Sequence, residues 1–273
     1  MSTFNPIRLE AHNPSPMTGS GNHTYLLIDQ RIGVLIDAGI GEPRHLEDLR
    51  RALNAHEATL RDVLVTHGHP DHASGAVAIA REHPEARFSK FPWPAEDGRF
   101  AVSWLPIGER DRCRFGDTSV VALHTPGHSP DHLTFWHEET RTAFTGDLVV
   151  QDSSVMIHAT HGGNLSQYLQ SLERLRRLSP RRLLPAHGRD VAEPDGLLRG
   201  YLEHRRLREA QVIGALKSGR DTVQAIVESI YDGLAPALVP AATENVHAHL
   251  DKLREDGLAI ETAGRWLISS DQS

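Results

Sequence analysis

Only one cysteine, Cys113, occurs among the 273 residues. An internal disulfide is therefore excluded, and the chain suits a reducing compartment. Long apolar runs are missing as well, since none approaches the roughly 20 residues that a membrane-spanning helix needs. The opening Met1-Ser2-Thr3-Phe4-Asn5-Pro6 has neither a basic segment nor an apolar one behind it, so no signal peptide is expected. Excess positive charge is also lacking. The formal net charge of -7 gives no overall attraction to nucleic acid or to an anionic membrane surface. A soluble cytoplasmic protein with no membrane partner is the expectation. Apolar residues make up 39% and charged residues 24%, which allows an ordinary core in one large domain or two.

Histidine is what the chain has in abundance, with 18 copies. They crowd most densely in Thr66-His67-Gly68-His69-Pro70-Asp71-His72, behind the apolar run Val63-Leu64-Val65. Imidazole nitrogen and carboxylate oxygen suit zinc, iron or manganese, and the lack of a thiolate partner argues against a structural zinc finger. With 63–66 as a buried strand, His67 and His69 leave its end two positions apart and can point the same way. Pro70 biases His69 toward an extended conformation. Asp71 and His72 then sit at the turn into a helix expected to begin near Ser74, where adjacent positions face different directions. That geometry suits two neighbouring metals, with His67 and His69 for one and Asp71 and His72 for the other.

This His-x-His-x-Asp-His pattern behind an apolar strand resembles the signature of the metallo-β-lactamase-fold hydrolases. The resemblance implies an α/β fold, a four-layered αββα sandwich with a one- or two-metal site along one edge of its sheets. It also implies further ligands downstream. Thr125-Pro126-Gly127-His128, after a strand at 119–123, resembles the second metal element, with His128 completing a three-histidine set for the first metal. Thr145-Gly146-Asp147 supplies the carboxylate that would bridge two metals. Leu183-Leu184-Pro185-Ala186-His187-Gly188 resembles the last element, His187 being the second metal's terminal histidine. A hairpin at 24–28 and 32–37, and a helix from about 43 to 54, resemble the opening of the same fold. The stretch 84–111, rich in proline and aromatics around Trp93 and Trp104, reads as a surface connection packing its rings down, or as a loop over the site.

After about Pro194 the pattern changes to helices, capped at Gly219 and Asp221, and ends in a hairpin around Ala263-Gly264. Residues 1–193 are expected to form the catalytic domain, and 194–273 a connecting helix with a small winged-helix domain. The run 201–211, with His204, Arg205, Arg208 and Glu209, followed by such a module, is similar to the beta-lactamase-like protein 2 group. Some members of that group cleave single-stranded RNA, so RNA enters as a candidate substrate by that likeness alone.

Two divalent ions are implied, zinc foremost, with manganese or iron admitted by the same donors. A water held between two such ions has its pKa lowered toward neutrality, so a bridging hydroxide is available as nucleophile near pH 7. Asp71 is the candidate catalytic residue, orienting the nucleophile or protonating the leaving group. His158, His161 and His204 are candidate substrate contacts, while His132 and Cys113 read as structural residues. The expected function is a binuclear metal-dependent hydrolase. Single-stranded RNA, thioesters and lactones all remain open as substrates, and a homodimer remains open as the assembly. The alternative of another class is a nucleic-acid-binding winged-helix protein with a vestigial metal site. From Asp195 onward, however, nine basic side chains face twelve acidic ones, a poor footprint for duplex binding.

Overall fold

The computed structural model describes residues 4–15, 18–151 and 154–269, so the opening residues 1–3 lie outside the described part. Strand β1 (Ile7–Glu10) pairs antiparallel with β2 (His23–Asp29), and β2 with β3 (Ile32–Ile36). Beyond helix α1 (Pro43–Ala55), β4 (Thr59–Leu64) joins β3 in parallel. Two short helices, α2 (Pro70–Ala73) and α3 (Ala76–Glu82), lead into β5 (Arg87–Lys90) and β6 (Trp104–Pro106). Together these strands form one six-stranded sheet in chain order. The second sheet contains β7 (Arg112–Phe115), β8 (Thr118–His124), β9 (Leu133–His137), β10 (Thr142–Gly146) and, after α4 (Leu165–Arg177), β11 (Arg182–Pro185). Its order is β11-β10-β9-β8-β7.

Alternation along the strands makes these sheets into layers. Leu26, Leu35 and Val63 pack outward with Leu49 and Leu53 of α1 and Ile79 of α3. Their neighbours Tyr25, Leu27, Val34 and Leu64 face the other sheet and meet Phe115, Phe135, Phe144 and Leu184. On the far side, Leu123, Trp136 and Ala143 pack with Leu165, Leu172 and Leu175 of α4. Each such buried leucine contributes roughly 1.5–3 kcal/mol, so three stacked cores hold the αββα sandwich. The aromatics of 84–111 pack down: Phe91 stacks on His124 at 4.0 Å, and Trp104 meets Phe88 edge-on.

The helix expected from Ser74 begins earlier and is broken. Pro70 opens α2 with Asp71 in its first turn, and Gly75 separates it from α3. The position is sterically restricted, because a Cβ at Gly75 would lie 2.0 Å from the Ala38 carbonyl oxygen. The chain crosses so closely there that only glycine fits.

Past β11, helix α5 (Pro194–Lys217) is followed by α6 (Val223–Ile230), α7 (Val239–Glu255) and the hairpin β12 (Ala259–Thr262) with β13 (Arg265–Ile268). The first half of α5 places Leu198, Tyr201 and Leu202 in the α4 core. Its second half places Val212 and Leu216 in a separate core with Ile226, Val246, Leu250 and Trp266. The cap of α6 is Thr222, not Asp221, since Asp221 is engaged by the Arg265 side chain and its carbonyl accepts from Trp266 N (2.7 Å). Among the described residues no helix is long and apolar enough to cross a membrane.

His249 of α7 is fully buried, and neither ring nitrogen has a hydrogen-bond partner. Burial, then Arg205, Arg208 and Lys252, lower its pKa to about 3. The unfolded chain binds that proton more readily, so stability is full above about pH 6.5 and is lost as pH falls toward 3. His249→Leu is therefore expected to flatten the acid side of the stability curve between those limits. Urea midpoints at pH 7.5 and pH 5 check this, and an acid loss equal to that of the parent chain would refute it.

Candidate metal centre

The end of β4 is tied to both sheets. The Thr66 carbonyl accepts from Leu133 N (2.7 Å), while Thr66 N donates to the Asp37 carboxylate (2.7 Å). Beyond this anchor His67 and His69 project together, with His67 Nε2 2.9 Å from His69 Nδ1. The strained turn after β8 brings His128 to the same point, its Nε2 3.1 Å from His69 Nδ1. A second group forms one turn along α2. His72 Nε2 and His187 Nε2 each lie 3.5 Å from Asp71 Oδ2. Asp147, just past β10, stands between the groups. Its carboxylate is 3.4 Å from His72 Nε2, 3.3 Å from His187 Nε2 and 3.6 Å from His128 Nε2.

All seven residues singled out from the sequence thus converge. The donor atoms of His67, His69 and His128 lie within 4.8 Å of one another, and so do those of Asp71, His72 and His187. His67 and Asp147 also share such a group with His72. Three of the outward nitrogens are committed elsewhere. His72 Nδ1 donates to Asp37 (2.9 Å), His128 Nδ1 to the Met156 carbonyl (2.9 Å), and His67 Nδ1 meets Thr66 Oγ1 (3.1 Å). Such contacts fix the tautomer that leaves the inner nitrogen free to bind a cation.

The electrostatics also fit a cation. Burial and the surrounding imidazoles hold His67 well below its ordinary pKa, and His69 down to about 3. At His72 burial opposes charge, but the carboxylates of Asp71, Asp147 and Asp37 outweigh it and raise the pKa well above the ordinary value. His187 likewise rises to about 9, Asp147 and Asp71 overcoming its burial. Burial works against the Asp147 carboxylate too, yet His72 and His187 keep its pKa well below the ordinary range. Its Oδ1 is buried without a hydrogen-bond partner. Three carboxylates compensated only by imidazolium, with a carboxylate oxygen unsatisfied, form a donor set that suits divalent ions.

Several contributors carried no role in the sequence reading. Asn22 donates to Asp71 Oδ2 (2.9 Å) and so aims that carboxylate. Asp37 supports Thr66 and His72 from a left-handed backbone conformation, φ 62°. The fully buried Asp131 accepts from Gly68 N (2.8 Å) and pairs with Lys90 (3.1 Å), which steadies the loop between His67 and His69. Asp37 closes one of the strands that resemble the opening of the fold, and Asn22 lies just before the other. Nothing local marked what either side chain would touch.

A cavity of about 980 Å³ opens over the centre. His69, Asp71, His128, Asp147 and His187 line it together with Asn13, Ile40, Val150, Val155 and Met156, and Ala241 of α7 reaches its rim. His158 also lines it. His161 does not, and its Nδ1 meets Thr160 Oγ1 (2.9 Å). His204 lines a second cavity of about 870 Å³ along α5, beside Gly196, Leu197 and Gly200. Cys113 lies apart from both, its thiol 3.8 Å from Asp62 and pushed by burial up to about 12. The backbone N–H of Asp147 donates to His132 Nε2 (3.1 Å), so His132 supports the centre from behind.

Residues 17–187 match the metallo-beta-lactamase superfamily model, and residues 222–266 match the beta-lactamase-associated winged helix domain. The chain is 30% identical over 267 residues to the beta-lactamase-like protein 2 homolog of Drosophila melanogaster, covering 93% of this chain and 89% of the relative. Over 283 residues it is also 30% identical to an atrochrysone carboxyl ACP thioesterase of Aspergillus terreus, covering 97% and 85%. A metallo-beta-lactamase family protein of Thermus thermophilus superposes with a TM-score of 0.77 at 20% identity, over 97% of this chain and 98% of that one. The chain is accordingly a hydrolase of the metallo-beta-lactamase superfamily, from the beta-lactamase-like protein 2 group.

Proposed function

We propose that the centre holds two divalent ions, zinc foremost, and hydrolyses a thioester or related uncharged acyl ester. His67, His69 and His128 would hold the first ion, Asp71, His72 and His187 the second, with Asp147 between them. When bound, the ions supply a nucleophilic hydroxide near neutral pH and polarise the scissile carbonyl. The chain's own groups do the rest. Asn22 fixes the Asp71 carboxylate at the edge of the cavity, where it can take up the nucleophile's proton and pass it to the leaving group. Ile40, Val150, Val155 and Met156 offer apolar walls to an acyl chain and keep water from it.

One observation carries the choice of substrate class. Among the described residues, no lysine or arginine lines the catalytic cavity. Beyond the one phosphate that the ions could take, a single-stranded RNA would bring several more to a mouth without a basic side chain to receive them, whereas a neutral acyl group needs none. The thioesterase named among the relatives points the same way. The small C-terminal domain serves this site by shaping its rim through Ala241 rather than by gripping a duplex.

Zinc-loaded protein is expected to release thiol from medium-chain acyl thioesters, to lose that activity on chelation, and to regain it with zinc. Thiol release followed with a chromogenic disulfide, beside labelled single-stranded and duplex RNA, decides the matter. Metal-dependent RNA cleavage with inert thioesters would overturn the acyl reading and leave the metal centre standing.

A further inference from the structure

The loop that follows Asp147 is gripped by two helices, α4 of the sandwich and α5 beyond it. The Tyr168 hydroxyl of α4 donates to the Leu148 carbonyl (2.8 Å). On α5, the Tyr201 hydroxyl accepts from Val150 N (3.0 Å) and donates to Val150 O (2.8 Å). Arg205, one helical turn on and so on the same face, donates from Nη2 to the Val155 carbonyl. The next carbonyl along, that of Met156, receives Nδ1–H of His128.

Arg205 is an unusual side chain for this position. It is 2% exposed, and its described partners are neutral: Val155 O, Asn245 Oδ1 (3.1 Å) and the Tyr168 ring at 5.4 Å from the guanidinium carbon. A buried guanidinium without a carboxylate is expensive to keep, so packing alone does not account for it. A planar fork does, because one group can bind a loop carbonyl and an amide of α7 at fixed angles. Asn245 in turn donates to the Tyr231 hydroxyl (3.1 Å), which joins the C-terminal domain to the same chain of contacts.

We propose that Tyr201 and Arg205 are positioning residues for His128. They lock the loop at Val150 and Val155, so that the Met156 carbonyl stays on Nδ1 and Nε2 stays turned to the centre. This rests on the assignment of His128 to the first metal set.

The test uses the full-length chain with Arg205→Met, Tyr201→Phe and, as an exposed control on the same helix, Arg206→Met. Zinc competition against a chromophoric chelator should show the tighter site weakened about 10- to 100-fold in the first two variants and unchanged in the control. In metal-free protein carrying ¹⁵N-histidine, the hydrogen-bonded Nδ1 proton of His128 should be seen in the parent chain and lost or shifted in both variants. Arg205→Lys, which keeps one donor, should recover part of each effect. If Arg205→Met does not fold, Tyr201→Phe carries the same two readouts. Unchanged affinity and an unchanged Nδ1 signal in folded variants would overturn the proposal. A parent chain that binds no zinc would instead remove the metal reading, with the Nδ1 signal still reporting on the clamp.

Discussion

Asp71→Ala is expected to lower kcat by at least about 10³-fold, the scale of losing a positioned acid–base group together with part of a metal site. The carboxylate has two roles that this substitution removes together. Its Oδ2 faces His72 and His187 at 3.5 Å, and it is aimed by Asn22. Burial would favour the neutral acid, but His72 and His187 hold its pKa far below the carboxylate range, so it is a ready ligand throughout the accessible pH range. Asp71→Asn separates the roles, since it keeps an oxygen donor but cannot carry a proton. It should retain much of the metal and little of the turnover. Metal content per chain, measured beside steady-state thiol release, checks both variants. Either variant holding two ions and more than a tenth of the parent activity would be incompatible with the role assigned to Asp71.

The second large effect falls on a residue with no functional atoms. Gly127 has φ 130°, and a Cβ there would lie 2.3 Å from the backbone N and Cα of Tyr168. Those are helix atoms that no rotamer can move aside. Its carbonyl also receives Asn164 N (2.8 Å) as α4 begins. Gly127→Ala is expected to cost about 3–5 kcal/mol from backbone strain and overpacking. In a domain of this size the melting temperature should fall by on the order of 10 °C. His128 is the next residue, so the metal affinity of the surviving folded protein should fall as well. Gly196→Ala is the matched comparison, because open space surrounds that helical glycine and the added methyl should stabilise slightly. Thermal melts of the pair with and without zinc decide it, and equal melting points would falsify the steric account.

What could be read from the chain in advance follows the distances involved. His67, His69, Asp71 and His72 are legible because four candidate ligands share six positions, and a strand end fixes their direction. His128, Asp147 and His187 are dispersed, and each alone is an ordinary residue in an ordinary loop. Only the resemblance put them in one list. Asp37 and Asn22 lie at the ends of the opening strands, yet their roles arise where separate strands meet, which no local pattern encodes. The close approach at Gly75 is likewise non-local, since its neighbour is the Ala38 carbonyl oxygen. His204 is a candidate substrate contact by sequence, but helix phase turns it toward a second cavity while Arg205, beside it, turns inward.

That phase has a wider bearing on how the two ends of the molecule can vary. With 24 residues, α5 is a rod of about 36 Å that enters one core and leaves through another without a flexible joint. One residue added between Leu202 and Val212 would turn everything beyond it by about 100° and advance it by about 1.5 Å. Ala241 would leave the rim of the cavity, and Glu244 would lose Thr160, whose hydroxyl it accepts at 2.8 Å. The length of this helix therefore acts as a gauge. It sets the aperture through which a substrate must pass, without contributing a side chain to the chemistry below.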